Sequence, residues 1–416
     1  MPPRRIYLDH AASTPVDPAV LRAMLPFFDR NFGNPGSLHS FGQAAQAALD
    51  SAREKMAALL GADFREIIFT GSATEANNLA LRGAVLGSKV KNPKVLVSAV
   101  EHESVLAAAR ELKNAGAEVV EIPVDREGRV DPATVRAALD RRTVLVSVMY
   151  ANNELGTLQP IAEIADIIRN FRNSKSQAPK SKQIPNREKL KSVLDFEATY
   201  PLFHVDAAQA FQYLDCRPAV LGADLLTLSA HKIYGPKGIG LLYAGKNAVR
   251  LAPLVFGGGQ EFGLRSGTEN VAGAVGFAAA ADIAAGIREK EARRVKALRD
   301  RLWRGIRKGI PGVRLNSPLR GVLPNIMNVS FPGLPAEEAA MRLDLLGVAV
   351  GTGSACASRS QRPSHVLRAI RLSAERMRGS VRLSLGRRTD AKEVDAALVR
   401  IRELKRIRSK KSKMTP

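Results

Sequence analysis

Two cysteines in 416 residues cannot staple a chain of this length, which excludes a disulfide-built secreted scaffold. No apolar run reads as approaching the roughly 18 residues of a membrane span. The opening MPPRRIYLDHAAST is too poor in apolar residues for a secretory signal, so a cytoplasmic, reducing setting without a membrane partner is expected. Aromatic residues make up only 5% of the chain, and the lysine-rich stretches carry no series of rings on which bases could stack.

Positive charge is abundant by contrast. The formal net charge is +23, which looks like a nucleic-acid signature until it is located. Residues 169–191 and 400–416 each hold eight Lys/Arg against one Glu, and together they supply more than half of the excess. Both are poor in apolar residues and read as a solvated insertion, at about 173–198, and a solvated basic tail, 401–416. Nonspecific contact with polyanions is the partner they imply.

Between these segments the chain alternates short apolar runs with helical patterns. EIIFT precedes a turn and the helical NNLALRGAVL, KVLVSAV precedes a helix from about Ser104, and TVLVSVMY precedes IAEIADIIRNF. Near-continuous apolar strands separated by helices predict an α/β fold with a mainly parallel central sheet covered on both faces. After GGGQEFGLRSGTEN the texture changes to long helices and a few strands. A boundary near 265 follows, giving a large α/β domain at 15–265 and a smaller α+β domain from 1–14 and 266–400.

In open α/β sheets ligands collect outside the carboxyl ends of the strands. Gly71-Ser72-Ala73-Thr74 there offers a helix start with free N–H groups and hydroxyls, a cup for phosphate. Glu101 and His102, then Asn152, Asn153 and Glu154, then Asp206 and Gln209, then His231 and Lys232 follow successive strands. Taken singly, each is an ordinary cap or core residue. Together, an amine, a carboxylate, an imidazole and a phosphate cup are the parts that pyridoxal phosphate needs. No metal ligand set is expected.

Ten stretches carry a resemblance in order: YLDHAASTP, GNPGSLHSFG, TGSATEANN, EHESV, NNELGT, HVDAAQ, SAHKIYGPKGIG, GGGQEFGLRSGTEN, GTGSACAS and SVRLSLGR. With these motifs the chain resembles the cysteine desulfurases related to IscS and NifS, class V aminotransferase-like enzymes of pyridoxal-phosphate fold type I. The resemblance implies that Lys232 binds the cofactor covalently, that Asp206 pairs with the ring nitrogen, that Gln209 bonds the ring hydroxyl oxygen and that His102 stacks on the ring. Ala73, Thr74, Ser229 and His231 would hold the phosphate. Thr268 would reach it from a neighbouring subunit, which implies a homodimer. Asn153 and Arg382, with Asn34 nearby, would hold the substrate carboxylate.

The same resemblance makes Cys356, set among small residues in the small domain, the nucleophile that carries sulfur as a persulfide, with Lys232 and His102 as the other catalytic residues and His102 the expected acceptor of the thiol proton. The implied reaction converts L-cysteine to L-alanine. The sulfur would pass to an acceptor protein, either an iron-sulfur scaffold or a carrier for tRNA or cofactor thiolation. The alternatives are a related lyase for selenocysteine or cysteine sulfinate, and a basic RNA-associated scaffold on the same fold. Cys216 matches no functional position and reads as packing. Two departures from the family stand out, the insertion and the Lys/Arg-rich end.

Overall fold

The computed structural model describes residues 5–176, 200–248, 250–353 and 363–411. Most of the predicted insertion, Cys356 and the last five residues lie outside these.

The apolar runs are strands of one seven-stranded sheet. In chain order its members are β2 (Ile67–Thr70), β3 (Lys94–Ser98), β4 (Glu118–Ile122), β5 (Thr143–Ser147), β6 (Leu202–Asp206), β7 (Leu225–Ser229) and β8 (Gly240–Ala244), after β1 (Ile6–Leu8), which belongs elsewhere. The spatial order is β2-β8-β7-β6-β5-β3-β4. All neighbours pair in parallel except those of β8, which runs against both β2 and β7. Six carboxyl ends and the first residue of β8 therefore share one edge.

Alternate residues of each strand feed two apolar clusters. Phe69, Val146, Phe203, Leu226 and Leu241 belong to one, and Ile68, Leu145, Leu202, Leu225 and Leu242 to the other. Burial on both faces is why these strands carry continuous apolar runs where a half-exposed strand would alternate. The helix Ser40–Leu60 covers the first cluster and stops at Gly61, whose φ of 62° closes the last turn without the cost a side chain would bring. The helices Ala73–Ser88 and Glu103–Asn114 cover the second.

The second unit is built differently. β9 (Arg314–Leu315), β10 (Ile326–Ser330) and β12 (Ser380–Ser384) form an antiparallel sheet, and β1 pairs in parallel with β11 (Val348–Val350). The 39-residue helix Val271–Gly309 joins the units: Ala274, Phe277 and Ala281 pack in the large core, Val295, Leu302 and Ile306 in the small one. One 18-residue window of this helix reaches a mean hydropathy of 1.4, enough to cross a membrane by length and composition. More than half of that window is buried inside the fold, where the large core accounts for its apolar character. Past residue 400 the chain continues in the helix Ala391–Lys411, with Ile401 and Leu404 buried in the small core. An apolar stripe at these two positions extends the helix into the segment that charge alone marked as tail.

Candidate active site

The shared edge opens onto a cavity of about 260 Å³. Asp206 is the last residue of β6, and Oδ1 accepts from the Ala208 N–H at 3.0 Å while Oδ2 accepts from Asn77 Nδ2 at 2.9 Å. Ser229 ends β7, and a short 3₁₀ turn then presents His231 and Lys232. Lys232 Nζ donates to the carbonyls of Ala11 and Ala12 at 2.7 and 2.8 Å, and Gln209 Nε2 donates to the Ala11 carbonyl at 2.9 Å. His231 Nδ1 lies 3.3 Å from Ser13 Oγ, and burial holds this ring's pKa down at about 4. Ala11 and Ala12 thus line the cavity beside groups that sequence placed at separate strand ends.

His102 caps the helix that follows β3. Its Nδ1 accepts from the Ser104 N–H at 3.2 Å and sits 2.9 Å from Ser104 Oγ. Burial lowers its pKa, with the Lys232 and His365 charges acting in the same direction and Asp206 and Glu103 opposing. The balance favours the neutral imidazole.

At the start of the helix Ala73–Ser88, the Glu75 N–H donates to Ser72 Oγ and the Ala76 N–H to the Ser72 carbonyl. The N–H groups of Ala73 and Thr74 are left to face the cavity, at the positive end of a 16-residue helix. The strand β8 enters between β2 and β7 at Gly240, and a Cβ there would lie 2.4 Å from the Ser72 carbonyl carbon. Only glycine lets the cup come this close to the sheet edge.

The opposite wall comes from the small unit. Arg382, on β12, is 2% exposed; Nη1 donates to the Asn153 carbonyl at 2.9 Å and Nη2 to Asp9 Oδ1 at 2.7 Å. Asp9 follows β1, 373 residues away in sequence. A buried guanidinium held on one side by a carboxylate is pre-aimed to take a second carboxylate from the cavity.

Of the residues expected at the site, Ala73, Thr74, His102, Asn153, Asp206, Gln209, Ser229, His231, Lys232 and Arg382 line this cavity. Asn34 does not: it is exposed, and its side chain accepts from the Gly36 N–H within its own loop. Thr268 is likewise exposed and outside the lining. Cys356 lies outside the described residues. Glu101 is turned into the fold, fully buried, with Oε1 accepting from the Met149 N–H at 2.6 Å; burial pushes its pKa well up. Glu154 is also buried and accepts from Ser364 Oγ at 2.6 Å. Cys216 is buried in the large core, and burial raises its thiol pKa, which makes it a packing residue and no nucleophile.

Sequence reasoning missed Asn77, Ser104 and Asp9, which bond the site groups directly. All three sit inside quoted motifs, yet nothing local distinguishes a bridging side chain from one that meets only solvent.

The residues fit pyridoxal phosphate. The cup with its Gly240 approach suits a phosphate, the Asp206 carboxylate suits a protonated ring nitrogen, and the neutral His102 ring and the Lys232 amine share the same cavity.

Residues 6–176 and 195–397 match the class-V aminotransferase family, and the gap between them falls inside the predicted insertion. The chain is 42% identical over 395 residues to the cysteine desulfurase IscS of Dictyoglomus turgidum, covering 95% of this chain and 93% of that one. It is 41% identical over 392 residues to cysteine desulfurase IscS 1 of Archaeoglobus fulgidus, covering 94% of each. Among solved structures it is similar to a NifS-like protein, with a TM-score of 0.85 at 34% identity over 97% of this chain and 100% of that one. It is also similar to SspA in complex with cysteine, with a TM-score of 0.74 at 34% identity over 91% and 98% of the two chains.

Proposed function

The chain belongs to the class-V aminotransferases and within them to the cysteine desulfurases, and on that premise we propose that its cavity works as follows. The protein is a pyridoxal-phosphate-dependent enzyme that takes sulfur from L-cysteine. When bound, the cofactor supplies a ring that accepts the electron pair released as the substrate α carbon loses its proton.

The chain's own groups do the rest. Ala73, Thr74, Ser229 and His231 hold the phosphate, Asp206 keeps a proton on the ring nitrogen, and Gln209 bonds the ring hydroxyl. Arg382 and the Asn153 side chain bind the substrate carboxylate, which fixes the amino acid at one end. The Lys232 amine, in the same cavity, is the group that would take the α proton and later return it. The Cys356 thiolate attacks the substrate sulfur; a sulfur–sulfur bond forms, the carbon–sulfur bond breaks with its electron pair left on the β carbon, one proton makes that carbon a methyl group, and the α proton returned from Lys232 completes L-alanine. The persulfide on Cys356 then passes its outer sulfur to an acceptor, for which an iron-sulfur scaffold or a thiolation carrier is proposed.

A homodimer is proposed on two supports. Thr268 lies outside its own cavity, and Phe28, Phe32, Leu38, Phe41 and Phe256 are exposed, more large apolar residues than a monomer's surface explains. The division into domains at 15–265 and 1–14 with 266–400 is kept as part of this reading, as are a cytoplasmic setting and salt-sensitive polyanion contact through the two basic segments.

The observation that carries the reading is the cavity itself, where Lys232, Asp206, His102 and Arg382 converge. It is tested by measuring alanine and sulfide from L-cysteine and dithiothreitol with the cofactor-loaded protein and with Cys356→Ala. Turnover lost in the variant, with cofactor absorbance retained, is expected. Turnover unchanged in the variant would overturn the nucleophile assignment, and no turnover in the parent would turn attention to selenocysteine, cysteine sulfinate or the RNA-associated alternative.

A further inference from the structure

Asn77 is 1% exposed, lies in the helix that follows the phosphate cup, and has no role in the account above. Its Nδ2 makes two bonds, to Asp206 Oδ2 at 2.9 Å and to Ser104 Oγ at 2.8 Å. A carboxylate only accepts, so the atom facing Asp206 is the amide nitrogen, and one of its hydrogens goes there. The other goes to Ser104 Oγ. That hydroxyl, already accepting, is left with its own hydrogen for His102 Nδ1 at 2.9 Å. Nδ1 also receives the Ser104 backbone N–H at 3.2 Å. A ring nitrogen that accepts from two donors carries no proton, so the neutral ring carries it on Nε2.

We infer that Asn77 is a positioning residue that, through Ser104, fixes His102 in the tautomer protonated on Nε2 and ties that choice to the orientation of Asp206. Its consequence for the reaction rests on the desulfurase reading; the tautomer itself does not. His102 then meets the substrate as a proton donor at Nε2. To accept a proton there, the ring would have to protonate Nδ1 and give up both bonds from Ser104. The charged and titratable groups facing His102 are Asp206 and Glu103, which favour its protonation, and Lys232 and His365, which oppose it; burial opposes it most.

The test uses holoenzyme labelled with ¹⁵N-histidine and long-range ¹H–¹⁵N correlation spectra across pH, with His102 assigned by the signal lost in His102→Gln. The parent should show Nε2 protonated and Nδ1 bare at neutral pH. Asn77→Ala and the milder Ser104→Ala should both shift the ring toward a mixture of tautomers and raise its titration midpoint by about one pH unit, because each weakens the donors that favour a bare Nδ1. A parent ring protonated on Nδ1 would overturn the inference. So would variants with the parent's tautomer and midpoint, even if turnover fell. A protein inactive on cysteine but showing the expected spectra would leave the tautomer standing while removing the desulfurase reading.

Discussion

The two walls of the cavity are built in opposite ways. The wall of the large sheet takes its groups from the carboxyl strand ends on the shared edge: Ala73 and Thr74 follow β2, His102 follows β3, and Asp206, Gln209, Ser229, His231 and Lys232, at and after β6 and β7, fall within 27 positions of one another. The wall of the small unit takes Arg382 from β12 and steadies it with Asp9 from beyond β1, across 373 positions. Parallel topology gathers many strand ends on one edge and so concentrates chemistry in short sequence. The second wall exists only when both ends of the chain have met. The wall proposed to hold the cofactor is therefore a product of strand ends on a regular frame, and the wall proposed to hold the substrate is a product of assembly.

The sharpest way to break this comparison is to disable one wall and read the other. Asp206→Ala should cost about 10³-fold in turnover and alter the absorbance of the bound cofactor, since a fixed charge beside the reacting system is lost. A variant with parent absorbance and near-parent turnover would remove Asp206 from the cofactor wall. Arg382→Ala should leave the cofactor absorbance as it is and raise KM for cysteine about 100-fold, the loss of charge-assisted bonds worth roughly 3 kcal/mol. A changed cofactor spectrum with unchanged KM would reverse the assignment of walls. Asp9→Ala touches the same guanidinium at one remove and should raise KM about 10-fold with kcat preserved, equivalent to about 1.4 kcal/mol. A fall in kcat alone would show that Asp9 acts elsewhere.

The smallest effect is on stability. His204 in β6 and His231 after β7 both have pKa values lowered to about 4 by burial, while the unfolded chain titrates at the ordinary value of 6.5. Between those values the unfolded state binds more protons, so stability falls as pH falls from 6.5 toward 4 and is fully present above that window. Urea midpoints measured across it should decline for the parent and decline less steeply for His204→Asn. Equal slopes would mean that His204 does not stay neutral in the folded chain. The prediction belongs to the large sheet, because both rings are held by its strands.

That many of these residues line one cavity was legible because strand ends in a parallel sheet announce themselves as polar residues after apolar runs. Ten of the expected site residues do line one cavity. Asn34 lies outside the cavity, held within its own loop, and Thr268, expected to act from a neighbouring subunit, is likewise outside the lining of its own chain's cavity. Asn77 and Ser104 were missed. Asn77 matters through bonds to Ser104 and Asp206, 27 and 129 positions away, and Ser104 matters because it passes that link on to His102, which sequence proximity alone does not reveal. Glu101 shows the converse: it stands beside His102 in sequence, yet is turned into the fold onto the Met149 backbone while His102 faces the cavity.

What the amino-acid sequence determined by itself was periodicity and order: apolar runs too continuous for half-exposed strands, helices between them, a glycine to end the helix at Leu60, and reactive residue types at the right intervals. These follow from local geometry and the burial of apolar surface, which any short window expresses. What only the tertiary structure decided was pairing. The antiparallel entry of β8, the glycine that lets the phosphate cup touch the sheet, the Asp9–Arg382 bridge and the path from Asp206 through Asn77 and Ser104 to His102 all depend on distances between atoms far apart in the chain. A hydrogen bond exists only within a few tenths of an ångström of its proper length, and that precision comes from the packed cores that hold the walls in place.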